Sequence, residues 1–273
     1  MRVEAENLKV SYGRVWGLKG VSFNAKAERI AVVGHNGSGK TTLLSVLSGL
    51  RKPTEGRATI NGEEPYSRKD KWVAIRYSFE KPQFSIPIKV KDLVETLRVN
   101  DRCSLVDELV EELGIKEFID QRLDGLSSGQ AQLCNLLMAL SCDAEVVILD
   151  EPTAHLDSYR AGIIDDLLSK RKGLIIATHD PEEGEAVAEH FLILKEGRLV
   201  WEGSRRKLFA EGVYEITLAE NGGKLPEEVQ VVHSFGAIVV ARADEELLSE
   251  LFRKGIIAGF KRAGLRYAYA ESR

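Results

Sequence analysis

An α/β fold is expected for this 273-residue chain on three observations. Short apolar runs, such as Arg29 to Val33 (RIAVV) and Val146 to Asp150 (VVILD), read as buried parallel strands. Between them lie stretches with helical spacing, Thr41 to Leu50 and Gln130 to Leu140, the alternation that builds a parallel sheet with helical crossovers. A Gly-rich junction, Gly34 to Gly39, joins one such strand directly to one such helix.

Taken in order, Val3 to Val10 alternates as a strand, and Val21 to Ala25 is its hairpin partner, an antiparallel subdomain. Arg29 to Gly34 is the first buried strand. Arg57 to Gly62 is another strand, closed by an Asn-Gly turn. From Val90 to about Gly114 the spacing of Leu93, Val94, Leu97, Leu105, Leu109 and Leu113 predicts amphipathic helix, so a helical insertion covers about residues 85–140. Gly173 to His179 and Phe191 to Gly203 supply further strands. After Lys207 the texture shifts to short strands and one charged helix, Asp244 to Lys254. The expected organisation is a domain over 1–206 and a small α+β appendage over 207–273.

Composition bounds the function. Hydrophobic residues make up 44% and charged residues 29%, enough apolar surface for a sizeable core. The net charge of -4 argues against a broad nucleic-acid face, which needs surplus cations. The last segment, from Arg205, carries 11 basic and 10 acidic residues and gives no such face either. No apolar run approaches the roughly 20 residues that span a bilayer, and the first residues show no secretory h-region. A cytoplasmic, soluble chain is expected. Cys103, Cys134 and Cys142 lack metal-ligand spacing and are expected as reduced thiols. Twelve Asn and Gln residues in all give a slight thermophilic bias.

The sharpest motif is GHNGSGKT, comprising Gly34, His35, Asn36, Gly37, Ser38, Gly39, Lys40 and Thr41, with Thr42 following. It fits G-x-x-x-x-G-K-[ST] between a strand and a helix, the context in which that pattern binds a nucleotide. The glycines let successive N–H groups turn inward on phosphate oxygens. Lys40 reaches the outer phosphates, the Thr41 hydroxyl suits Mg²⁺, and the helix adds its positive end. The core is therefore read as a P-loop NTPase. About 110 residues later VVILDE closes a strand with Asp150, placed to hold Mg²⁺, and Glu151, able to polarise a water.

With these motifs the chain resembles the ATP-binding-cassette ATPases, densely over residues 1–206. LSSGQ (Leu126 to Gln130) resembles the family signature LSGGQ. The resemblance implies that Ser127, Gly129 and Gln130 cap ATP bound to an opposite subunit; a helix N-cap at Ser127 or Ser128 is the plainer reading. It also implies that Asp157 in EPTAHLD lies at the dimer interface, that His179 contacts the γ-phosphate, and that Tyr12 stacks on adenine. In IRYSFEKPQF, Glu80 stands where the family's Q-loop has a glutamine that binds Mg²⁺, and Gln83 competes for that role. Ser128 replaces a glycine of the signature.

The implied cofactors are ATP and Mg²⁺. The implied partners are a second ATPase subunit, as homodimer or heterodimer, and a separate transmembrane permease, with no nucleic acid. The implied location is the inner face of the cell membrane, peripheral through the permease. The C-terminal layout resembles exporter-type cassettes loosely, so export is the first expectation and import the second. A soluble cassette ATPase of DNA repair or translation is the alternative class. The appendage reads at least as readily as a stability or dimerisation module as it does as a regulatory one.

Overall fold

The computed structural model describes residues 1–70, 74–78, 80, 82–210, 212–219, 224–265 and 267–268. Two compact units result, Met1–Glu202 and Gly203–Arg273.

In the first unit β1 (Arg2–Tyr12) runs antiparallel between β2 (Val15–Lys26) and β4 (Glu55–Ile60). Val3, Ala5, Leu8 and Val10 point into the core. The alternation slips between Ala5 and Leu8, where Asn7 takes φ 45° and a bulge resets the register. The second sheet has the order β5-β6-β7-β3-β8-β9. Its strands are β3 (Arg29–Val33), β5 (Ile75–Ser78), β6 (Val146–Asp150), β7 (Leu174–Thr178), β8 (His190–Lys195) and β9 (Arg198–Ser204). From β5 to β8 every neighbouring pair is parallel. β6 and β7 are buried at all positions, which is why they read as unbroken apolar runs instead of alternating ones.

Register then assembles the site. Val33 pairs with Thr178 and Asp150 with Ala177, so β3, β7 and β6 end side by side. The chain leaving each of those ends carries a motif found in the sequence, at the edge where open α/β sheets bind ligands.

Among the described residues this unit includes the helices α1 (Lys40–Leu47), α2 (Val90–Arg98), α3 (Val106–Glu112), α4 (Ser128–Leu140), α5 (Ser158–Lys170) and α6 (Pro181–Val187). The single helix expected from Val90 to Gly114 is two. After Arg98 the chain turns, Cys103 N donating to Asn100 O at 2.8 Å, and Leu105 N bonds Ser141 O at 3.2 Å instead of continuing a helix.

The expectation of three reduced thiols is corrected: Cys103 and Cys142 form a disulfide, and Cys134 is free and buried. Spacing alone does not reveal the pair, because the cysteines stand 39 residues apart. They meet through tertiary backbone bonds, Leu105 N to Ser141 O and Asp143 N to Arg102 O at 2.7 Å.

The second unit contains α7 (Arg205–Ala210), β10 (Val213–Leu218), β11 (Gln230–Phe235), β12 (Ile238–Arg242), α8 (Glu245–Arg253) and β13 (Ile257–Arg262). Its antiparallel sheet has the order β11-β12-β10-β13. Leu248 and Leu251 of α8 pack with Tyr214, Ile216, Val239, Ala241 and Ile257. Asp244 caps α8, accepting from Glu246 N at 2.7 Å. Among the described residues of the chain, no helix is long and apolar enough to cross a membrane.

The disulfide sets a simple expectation. Under non-reducing denaturation one thiol per chain, Cys134, reacts with a thiol reagent; after reduction three do. In the chain-entropy picture a loop of this length contributes about 4 kcal/mol, so reduction lowers the urea midpoint. Three reactive thiols before reduction would refute the bridge.

Candidate active site

At the end of β3 the backbone curls. Gly34 N donates to Thr178 O at 3.2 Å, and a Cβ on Gly34 would lie 2.4 Å from Ser38 Oγ and 2.5 Å from Leu194 O. Gly39 takes φ 105°, where its missing Cβ would meet Gly17 O at 2.7 Å. No other residue fits either place. His35, Asn36 and Gly37 are exposed at the loop's tip, while Gly34, Ser38 and Thr42 are buried. Lys40 opens α1 and is 6% exposed. Its Nζ donates to Gly34 O at 2.7 Å and His35 O at 3.4 Å, and stands 3.1 Å from Glu151 Oε1.

Asp150 ends β6, 1% exposed. Tyr77 Oη donates to its Oδ2 at 3.2 Å, and the Thr41 hydroxyl bonds the same carboxylate. Burial pushes the Asp150 carboxyl above its ordinary value, the two hydroxyl bonds oppose this, and the charges of Glu151 and Glu80 add to it. Glu80 thus makes itself felt at Asp150, and it acts on Tyr77 as well. Glu151 follows on a left-handed backbone, φ 51°. Its Oε2 accepts from His179 N at 3.3 Å and lies 2.7 Å from His179 Nδ1. One carboxylate therefore bridges the lysine of the phosphate loop and the histidine after β7.

The site suits Mg²⁺ and phosphate. Ser38 Oγ and Asp150 Oδ1 are buried with no hydrogen-bond partner among the described residues, and such atoms call for a ligand. Thr41 and Asp150 offer hard oxygen donors. No group of three or more His, Cys, Asp or Glu is arranged around a metal among the described residues. That fits an ion bound through few side chains together with substrate phosphates, as Mg²⁺ is.

The remaining sequence candidates lie around this centre. Ser127 caps α4, accepting from Gln130 N at 3.3 Å, while Gln130 Oε1 accepts from Ser127 N at 3.0 Å. The pair is a reciprocal capping box, the plainer reading offered for that segment. Gly129 sits where a Cβ would come 3.0 Å from His155 O. Asp157 caps α5, accepting from Arg160 N at 2.9 Å. Tyr12 is 45% exposed, its Oη 3.4 Å from Thr42 Oγ1 and its ring 4.3 Å from the Arg51 guanidinium. Gln83 is exposed in a groove with Arg76, Tyr77 and Phe84.

Three contributors were not singled out from sequence: Tyr77, Gln132 and Glu183. Gln132 Nε2 donates to Glu151 O and Pro152 O at 3.3 and 2.9 Å. Glu183, on α6 and 6% exposed, accepts from Thr153 Oγ1 at 2.7 Å and is bonded by the Thr178 side chain. It ties the segment after Glu151 to the strand before His179. Their only signal in the sequence was a polar residue at a helix or strand position that should be buried.

A Gly-rich loop with a buried lysine, an aspartate–glutamate pair at the end of β6 and a histidine after β7 define a nucleotide-hydrolysing cassette. The ABC transporter family pattern matches residues 18–154. A putative ABC transporter ATP-binding protein of Archaeoglobus fulgidus is 32% identical over 74% of this chain and 74% of its own length. The biotin transport ATP-binding protein BioM of Rhizobium etli is 31% identical over 73% of this chain and 92% of its own. A dimeric ATP-binding cassette solved in a post-hydrolysis state with ADP and Pi superposes with a TM-score of 0.65 at 27% identity. It is covered over 98% of its length, and this chain over 74%. The chain belongs to the ABC transporter family. It is an ATP-binding subunit and an ATPase.

Burial raises the Glu183 carboxyl to about 7, with Asp165 and Glu151 adding their charges. A carboxyl raised on folding favours the protonated native state. Its contribution is present below the unfolded value near 4.5 and is lost as pH rises through about 7. Glu183→Gln keeps an acceptor for Thr153 and removes the titration. Its stability relative to the parent protein should rise by roughly 2–3 kcal/mol between pH 4.5 and 8, read by urea denaturation. A difference independent of pH would contradict the assignment.

Proposed function

We propose that this chain energises transport by a separate membrane permease, two ATPase subunits enclosing two ATP molecules head to tail. The observation that carries the reading is the divided carboxylate: Glu151 Oε1 lies 3.1 Å from Lys40 Nζ, and Oε2 lies 2.7 Å from His179 Nδ1. Lys40 and the backbone amides of the 34–42 loop bind the phosphates. Thr41, Asp150 and Glu80 would hold Mg²⁺, which would supply charge neutralisation for the bound phosphates. Glu151 orients the attacking water and accepts its proton, and His179 steadies both Glu151 and the γ-phosphate. Tyr12 stacks on adenine. Ser127, Gly129 and Gln130 close on the nucleotide of the second subunit, and Asp157 lies at that interface.

Lys40 is held by Glu151 and two loop carbonyls. ATP offers it stronger acceptors, so nucleotide entry releases Glu151 to face water. The permease fits the groove of about 390 Å³ lined by Leu50, Tyr77, Gln83, Phe84 and Met138. Leu50 and Met138 are 41% and 39% exposed there. This groove adjoins both the helical insertion and Glu80, a place where docking can reach the metal. The subunit is accordingly peripheral on the inner face of the cell membrane. Export is our reading of direction, supported by the small unit that follows the cassette, and import is the second reading.

Glu151→Gln should lose ATP turnover by about 10²-fold or more and hold ATP in a dimer by gel filtration. Recovered from native membranes, that trapped form should bring a polytopic protein with it. A persistent monomer refutes the sandwich, and recovery of ribosomes or DNA refutes transport. For the metal, Glu80→Ala should raise the Mg²⁺ concentration giving half-maximal turnover by about tenfold, while Gln83→Ala leaves it near the parent value. The reverse pattern would move the ligand to Gln83.

A further inference from the structure

Helix α4 reaches the loop carrying Glu151 through a side chain with no role in the reading above. Gln132 is 0% exposed, and its Nε2 donates to Pro152 O at 2.9 Å and Glu151 O at 3.3 Å. The orientation of the amide is forced, since turning it would set Oε1 against two carbonyl oxygens. Oε1 itself has no hydrogen-bond partner among the described residues. A buried orphan acceptor is unfavourable, and a leucine would fill much the same space without it. What the amide adds is the pair of bonds to those two carbonyls.

The carbonyls flank a strained step. Glu151 takes φ 51°, a region that side-chain-bearing residues seldom occupy and hold only when their surroundings fix them. Its N–H donates to Ala177 O at 2.8 Å, and its carbonyl accepts from Ala154 N at 3.1 Å as well as from Gln132. Relaxation of φ would swing the Cα–Cβ bond and carry the carboxylate off Lys40 and His179. One turn earlier on α4, the missing Cβ of Gly129 lets the helix lie against His155 O, in the same loop. The helix that starts at Ser127 thus grips this chain's own Glu151 loop at two points.

We propose that Gln132 is a positioning residue for hydrolysis. It holds Glu151 in the left-handed conformation that aims the carboxylate at Lys40 and His179. Standing in the first turns of α4, it also transmits closure of the Ser127–Gln130 segment on the second subunit's nucleotide to Glu151 of its own chain. The inference rests on Glu151 as the water-orienting carboxylate, and the experiment separates the two claims.

Steady-state turnover, ATP affinity and thermal midpoint are measured for Glu151→Gln, Gln132→Leu and the double variant. Gln132→Leu is expected to lose about tenfold or more in kcat with KM within about threefold, and the double variant to be no slower than Glu151→Gln alone. If Glu151→Gln keeps turnover, the reading of Glu151 fails whatever Gln132 does. If Glu151→Gln is inactive and Gln132→Leu loses less than about threefold in kcat, or loses only in KM, the positioning role is overturned. Gln132→Glu keeps the shape and answers even if the leucine variant is unstable. Its carboxyl donates only when protonated, so its kcat relative to the parent should fall as pH rises; a flat ratio overturns the donor role. In mixed dimers whose other subunit carries Glu151→Gln, a single Gln132→Leu in the active subunit should lower the remaining turnover by about tenfold or more. Placed instead in the Glu151→Gln subunit, it should leave that turnover largely intact, and the opposite result overturns action on the same chain's glutamate.

Discussion

A lysine and a glutamate, each 6% exposed, face each other at the end of a buried strand, and the rest of the site is arranged around that pair. Either charge alone at that depth would cost several kcal/mol of lost hydration. Paired, bridged to His179 and bonded to loop carbonyls, both persist. Lys40 has donors but no acceptor, and Gly34 O, His35 O and Glu151 engage them. Whatever takes the lysine must bring more negative oxygen than a carboxylate and two carbonyls together. A triphosphate meets that condition; a neutral ligand does not.

The parallel sheet makes this pairing possible. Glu151 N is tied to Ala177 O at 2.8 Å and Gly34 N to Thr178 O at 3.2 Å, so the loops after β6 and β3 both hang on the end of β7. His179 is the next residue along. Three segments spread over more than a hundred residues of sequence are thereby fixed within side-chain reach. The glycines at 34 and 39 complete the arrangement by letting the loop approach Leu194 O and Gly17 O.

This also explains what was legible in the sequence. The phosphate loop is a local motif, and its strand, glycines and helix all fall between Arg29 and Leu47. Asp150 and Glu151 were legible because a wholly buried strand shows as an apolar run, with its end marked by charge. The helix over 90–114 was over-extended because Leu105, Leu109 and Leu113 keep helical spacing across a turn held by Ser141 O, a partner no window of that size contains. The disulfide escaped for the same reason. Tyr77, Gln132 and Glu183 act on Asp150, Glu151 and Thr153 from 73, 19 and 30 residues away. A buried glutamine in a helix looks like any polar residue until the carbonyls opposite it are known.

The departure at Glu80 takes its meaning from the charge of the whole site. Lys40 is the cation of the phosphate loop, set against the carboxylates of Asp150, Glu151 and Glu80, and the charges of Glu151 and Glu80 already push the Asp150 carboxyl upward. A neutral amide at position 80 would leave the protein's own groups one unit less negative. With a carboxylate there, adding phosphates without a divalent cation is still more unfavourable, and adding them with one is correspondingly more favourable. Under the proposed assignment the substitution therefore shifts selectivity toward the metal-bound nucleotide rather than weakening the site. It acts at the strand end that also borders the groove proposed for the permease. A change in the seating of Glu80 is felt at Asp150 through charge alone, with no need for a large movement between them.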